Sequence, residues 1–164
     1  MNRPIAYPTV DDDLVARLVP LAEELDELAS SRVDCTRQRD EFNALAGTCI
    51  ENPFDFHFSG ACRARDFVRD QLARRHIGEF VGLDDADMLV LLRAICAAER
   101  IDELPFWLEV LEMNLPDAPL SDLIFYPDIA LEALGRSDIK ADSLAPEDIL
   151  RIARSLSART PIAP

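Results

Sequence analysis

Ser121-Asp122-Leu123-Ile124-Phe125-Tyr126-Pro127 sets a hydroxyl, a carboxylate, two aromatic rings and a proline within seven residues. Their chemistry is that of recognition. One short helical turn has a single inward face, so Leu123 and Ile124 cannot be buried together with both Phe125 and Tyr126. At least one ring is therefore expected at the surface, beside Asp122. An exposed ring next to a charge is the composition of a binding hot spot rather than of a solvated loop.

The other chemistry-bearing residues offer less. Cys35, Cys49 and Cys62 are spaced by 14 and 13 residues, and with His57 and His76 they raise the question of zinc. The paired C-x2-C clip of a zinc site is missing, so no metal is expected. In a reducing compartment these three and Cys96 are free thiols, and such thiols usually behave as small buried hydrophobes. Cys96 falls on an apolar helical stripe and is expected in the core. His57 and His76 have no evident acid–base partner in sequence, and neither a Gly-rich phosphate loop nor a nucleophile elbow is present. The chain is expected not to be an enzyme and to need no cofactor.

Charge narrows the partners. Acids outnumber bases 31 to 17, a formal charge of −14. Met1–Phe80 carries 15 acids and 10 bases, a net −5; Val81–Pro164 carries 16 and 7, a net −9. Asp84–Asp128 alone holds 11 acids against Arg93 and Arg100, again −9. Such a surface repels nucleic acid and anionic membrane and attracts a basic protein. No apolar run approaches the roughly 20 residues needed to span a bilayer. The N-terminal stretch, with Arg3, Pro4, Pro8 and Asp11–Asp13, does not read as a signal peptide, so a cytoplasmic location is expected.

The elements that must position these residues are helical. Leu14, Leu18, Leu21, Leu25 and Leu28 recur at spacings of four and three behind the Asp11–Asp13 caps, with Pro20 predicting a kink or two abutting helices. A second helix is expected over Asp34–Leu45, ending at Gly47. A third runs from about Cys62 to His76 with Phe67, Val68 and Leu72 inward and an outward, solvated set of arginines. Between them Pro53–Phe58 reads as an irregular plug for the core. Gly78–Leu83 is a joint. Asp84 then caps a helix whose stripe is Met88, Leu91, Leu92 and Ile95. The next helix begins near Asp102 with Leu104, Leu108, Leu111 and Leu115 inward, and Pro116 and Pro119 end it. The short Ser121–Tyr126 turn stops at Pro127, a loop with an extra turn at Ile129–Leu134 follows, and the last helix starts at Pro146 with Ile149, Ile152 and Leu156 inward.

This order of parts resembles the immunity proteins of DNase bacteriocins, the colicin and pyocin immunity family. The resemblance rests on Leu83-Asp84-Asp85-Ala86-Asp87-Met88-Leu89 running into Ala94-Ile95-Cys96, and on the acidic helix around Glu109 and Glu112. It rests most on Ser121–Pro127 against the family's S-D-L-I-Y-Y-P, and also on Ala145-Pro146-Glu147-Asp148-Ile149-Leu150. It covers about residues 80–158. It implies an all-α fold, with a four-helix immunity-like bundle and short third helix over 80–164. An additional helical segment over 1–79, for which no motif suggests a function, precedes it.

The function implied is one-to-one binding and inhibition of a cognate nuclease toxin that would otherwise cut the producer's own DNA. In the family such proteins bind beside the active site and exclude nucleic acid by bulk and negative charge. Carried over, Asp122 meets a basic or donor group on the toxin, Phe125 and Tyr126 anchor, and Ser121 lies alongside. Phe125 departs from the family's first tyrosine by losing its hydroxyl. The family's second helix selects the toxin, and its candidates here are Asp102, Glu103, Phe106, Trp107, Glu109, Val110 and Glu112. The leucines around Trp107 favour a core place for it over a contact. The rival reading is an acidic helical adaptor, or a DNA mimic that blocks another basic protein.

Overall fold

Asp11 opens the first helix of the computed structural model, which describes residues 5–56, 63–97, 103–136, 139–140 and 144–157. Its carboxylate accepts from the N–H groups of Asp13 and Leu14 at 2.9 and 3.2 Å, satisfying donors that a helix start leaves open. Among the described residues the chain is all-α, with eight α-helices, two short 3₁₀ turns and no strand. Packing divides it into two compact units, Met1–Gly78 and Glu79–Pro164.

In the first unit α1 (Asp12–Ser30) runs as one 19-residue helix through Pro20 rather than as two abutting pieces. It buries Val15, Leu18, Ala22, Leu25 and Ala29, while Leu14, Leu21 and Leu28 pack at the edge of that core. The leucine ladder is thus flanked on its inward side by small residues that let α2 (Thr36–Ala46) and α3 (Ala64–Arg74) approach. Gly47 closes α2 at φ 66°, a left-handed conformation natural to glycine, and its N–H returns to the Asn43 carbonyl. The expected aromatic plug is a 3₁₀ turn, Pro53–Phe56. Phe56 is fully buried with its ring 5.0 Å from Phe42 and 5.4 Å from Phe67, whereas Phe54 points out. Phe58, His57 and Cys62 lie outside the described residues.

Two of the arginines expected merely to be solvated have a task. Arg65 and Arg69 both reach Asp12 Oδ1 at 3.2 Å and link α3 to the start of α1. Exposed pairs of this kind contribute little to stability, on the order of 0–1 kcal/mol.

The second unit is built on α4 (Asp85–Cys96), α5 (Leu104–Asn114), α6 (Leu120–Phe125), α7 (Pro127–Ala133) and α8 (Pro146–Ser157). Asp84 caps α4 by accepting from Asp87 N–H at 2.8 Å, and Met88, Leu91, Leu92 and Ile95 turn inward. The inward side of α5 differs from expectation. Leu111 and Leu115 are buried, but Leu104 and Leu108 are only half-buried, and the core side is Phe106, Trp107, Val110 and Leu111. Rings decide this: Phe80, Phe106 and Trp107 pack edge to face with centroids 4.9–5.7 Å apart. Each fully buried ring contributes roughly 1.5–3 kcal/mol, more than an edge leucine gains by moving inward.

Asn114 locks the end of α5 to the loop before α4. Its Oδ1 accepts from Gly82 and Leu83 N–H at 2.8 and 2.9 Å, and its Nδ2 donates to the Phe80 and Val110 carbonyls. Gly82 turns there at φ 79°. α8 returns to α4 through two ion pairs. Arg93 donates to Glu147, with Nε at 3.0 Å, and Arg154 donates to Asp85 through Nε and Nη2 at 2.9 and 2.8 Å. Ile149, Leu150, Ile152 and Ala153 are buried beneath them, and Leu156 is half-buried.

Candidate functional site

α6 is held by its ends. Leu115 is fully buried at the close of α5, and Leu120 fully buried at the start of α6. Between them Asp117 takes a left-handed φ of 68°, which an aspartate tolerates better than most residues, and reverses the chain. Leu120 and Leu123 face the core, and in six residues no further inward position remains. Ile124 and Ser121 are half-buried, and Asp122 is exposed. Phe125 is 43% exposed and Tyr126 60% exposed. Both rings thus stand at the surface beside the acid.

Pro127 does not lead into a loop. It ends α6 and also serves as the first residue of α7, where its missing N–H costs nothing. Tyr126 sits at the pivot with φ −136°. Its N–H donates to the Asp122 carbonyl at 2.8 Å, closing α6, and its carbonyl accepts from Ala130 N–H at 3.1 Å, opening α7. Ala130 and Leu131 anchor α7, leaving Asp128 and Glu132 exposed and Ile129 65% exposed. The expected extra turn at 129–134 is this helix, which begins earlier, at the proline.

Behind Phe125 runs a shallow apolar groove of about 370 Å³. Ile95, Cys96, Leu123, Ile124, Phe125, Pro127, Leu144 and Ile149 line it. Cys96 is exposed rather than core, because it is the last residue of α4 and its stripe ends at Ile95. The apolar wall nonetheless desolvates its thiol and pushes the pKa above the ordinary value. Cys49 is exposed as well, so of the three described cysteines Cys35 alone is buried. His76 is half-buried just beyond α3. Among the described residues no group of three or more His, Cys, Asp or Glu could hold a metal ion.

The second-helix candidates divide by burial. Phe106, Trp107 and Val110 are fully buried and belong to the core, so none of them can meet a partner directly. Trp107 donates its indole N–H to Glu103 at 2.7 Å, which commits part of that half-buried carboxylate to the start of α5. Glu109 is half-buried, and Glu112 and Met113 are exposed, three and four residues further on the same helical face. Asp102 lies outside the described residues. The exposure of Ile129 was not anticipated from the sequence, and the signal that could have shown it is proline's preference for a first helical position.

Electrostatically the region has one sign. Residues 101–135 contain eight acids, Asp102, Glu103, Glu109, Glu112, Asp117, Asp122, Asp128 and Glu132, and no lysine, arginine or histidine. No helix among the described residues is long and apolar enough to cross a membrane. What this arrangement can do is bind: two exposed rings and an isoleucine offer apolar anchors within an acidic field. Comparison of the chain with known protein families, with characterised proteins and with solved structures finds no match in any of the three.

Proposed function

We propose that this chain is an immunity protein that binds a cognate nuclease toxin, a DNase in our reading, one to one and inhibits it, protecting the producing cell. The observation that carries the reading is the surface of α6, where Asp122, Phe125 and Tyr126 are all exposed on a helix anchored by Leu120 and Leu123. The S-D-L-I-F-Y-P motif supplies the family resemblance, and the exposure of its polar and aromatic members suits a contact role.

In this mechanism Tyr126 and Phe125 enter an apolar depression on the toxin, and Asp122 accepts from a basic or amide donor at its edge. Ser121 contributes a hydroxyl beside them. Glu109 and Glu112 on α5, with Glu103 at its start and Asp102 next to it in sequence, set the electrostatic match that selects one toxin. A DNase must present a basic groove to phosphates. An acidic surface seated against that groove speeds encounter and keeps DNA out by like-charge repulsion. Inhibition then needs no contact with the reacting atoms.

Titration calorimetry against the nuclease domain encoded beside this chain, at two salt concentrations, tests the proposal. One-to-one binding at nanomolar affinity or tighter, weakened by salt, is the expected result. No heat of binding, with the nuclease still cutting, would overturn it and favour the adaptor or DNA-mimic reading.

A further inference from the structure

We propose that the docking surface continues past Pro127 onto α7, and that Ile129 is a contact residue of the same rank as Tyr126. The inference rests on the immunity reading above and adds to it a second helix of the interface. Phe125, Tyr126 and Ile129 are three large apolar side chains exposed within five consecutive residues. Soluble chains scatter such residues singly, whereas a run of them marks a surface that another molecule covers.

The run is tied to the core on both sides. Tyr126 closes α6 and opens α7 with its own N–H and carbonyl, and Leu123 on one side and Ala130 and Leu131 on the other are buried. The two hydrogen bonds of the pivot set the backbone from which the rings and Ile129 project, so backbone ordering adds little to the entropy cost of binding. Asp122, Asp128 and Glu132 are the exposed charges of these two helices, and all are acids. An apolar centre with an acidic rim fits a basic protein surface that holds an apolar depression. A nucleic acid fits neither part, and a second copy of this chain would bring acid against acid.

The test is calorimetry of the full chain and its Ile129→Ala variant with the neighbouring nuclease domain, with Val90→Ala as a control exposed elsewhere on the unit. Ile129→Ala is expected to raise Kd by at least tenfold with an unchanged melting curve, and Val90→Ala to leave Kd unchanged. If the wild type binds and Ile129→Ala binds equally well, the extension onto α7 is wrong while the immunity reading stands. If the wild type itself does not bind, both fall. Sedimentation of the free chain completes the test: a dimer abolished by Ile129→Ala, with nuclease binding intact, would assign the patch to self-association and overturn the proposal.

Discussion

Trp107 is fully buried and Tyr126 is 60% exposed, so replacing each by alanine should fail in a different way. Tyr126→Ala and Asp122→Ala should each weaken nuclease binding by about 2 kcal/mol or more, some thirtyfold in Kd, as hot-spot truncations do. Their urea midpoints should stay with the wild type, because neither side chain supports the core. Trp107→Ala should instead cost about 3–5 kcal/mol of stability through the cavity left between Phe80 and Phe106. Any loss of binding it shows should follow the fraction unfolded. Equal urea midpoints for Trp107→Ala and the wild type would refute the core assignment, and a wild-type Kd for both surface variants would refute the anchor. The sequence already favoured the core for Trp107, because leucines surround it. It could not show that Phe106 and Val110 join it, since the leucine ladder of α5 suggested another inward side and only the packed rings settle the register.

Helices were legible wherever apolar period and caps agreed. Asp11, Asp84 and Gly47 mark real boundaries, and the stripe of α4 falls where the spacing puts it, whereas α1 buries only Leu18 and Leu25 of its leucine ladder and α8 leaves Leu156 half-buried. Legibility failed where one residue has two meanings. Pro127 reads as a stop but also starts α7, and Cys96 continues a stripe whose helix ends beneath it. The Asn114 brace leaves no periodic trace at all, because it works through one amide and four backbone groups. The α4–α8 clamp is equally silent in sequence, and it carries a pH signature. The hydrogen bond from Arg93 holds the Glu147 carboxyl below its ordinary pKa. A depressed carboxylate contributes stability above its unfolded-state pKa and loses it as pH falls through the folded one. Because the pair is half exposed, Glu147→Gln should lower the urea midpoint only slightly at neutral pH, and the gap to wild type should close as the pH drops below the carboxylate range. A gap that persists unchanged at low pH would mean that the ion pair is not its source.

The whole molecule consists of two units with separate cores, and the proposed binding residues all belong to the second. In the first, Phe42, Phe56 and Phe67 gather around α1; in the second, Phe80, Phe106 and Trp107 gather around α5. Within the second unit α4 packs on α8, α5 on α6, and α6 on α7. Residues 79–164 expressed alone should then unfold in one cooperative step, although a domain of this size is only marginally stable. Because the segment without basic residues, the α6 rings and Ile129 all lie inside it, this fragment should bind the nuclease within about threefold of the full chain, which is well under 1 kcal/mol. It should also show a similar slope of log Kd against log salt, since it keeps −10 of the chain's −14 net charge. A fragment that folds but binds tenfold more weakly would place part of the interface in the first 78 residues. A fragment that melts without cooperativity would instead make the first unit a support on which the second depends.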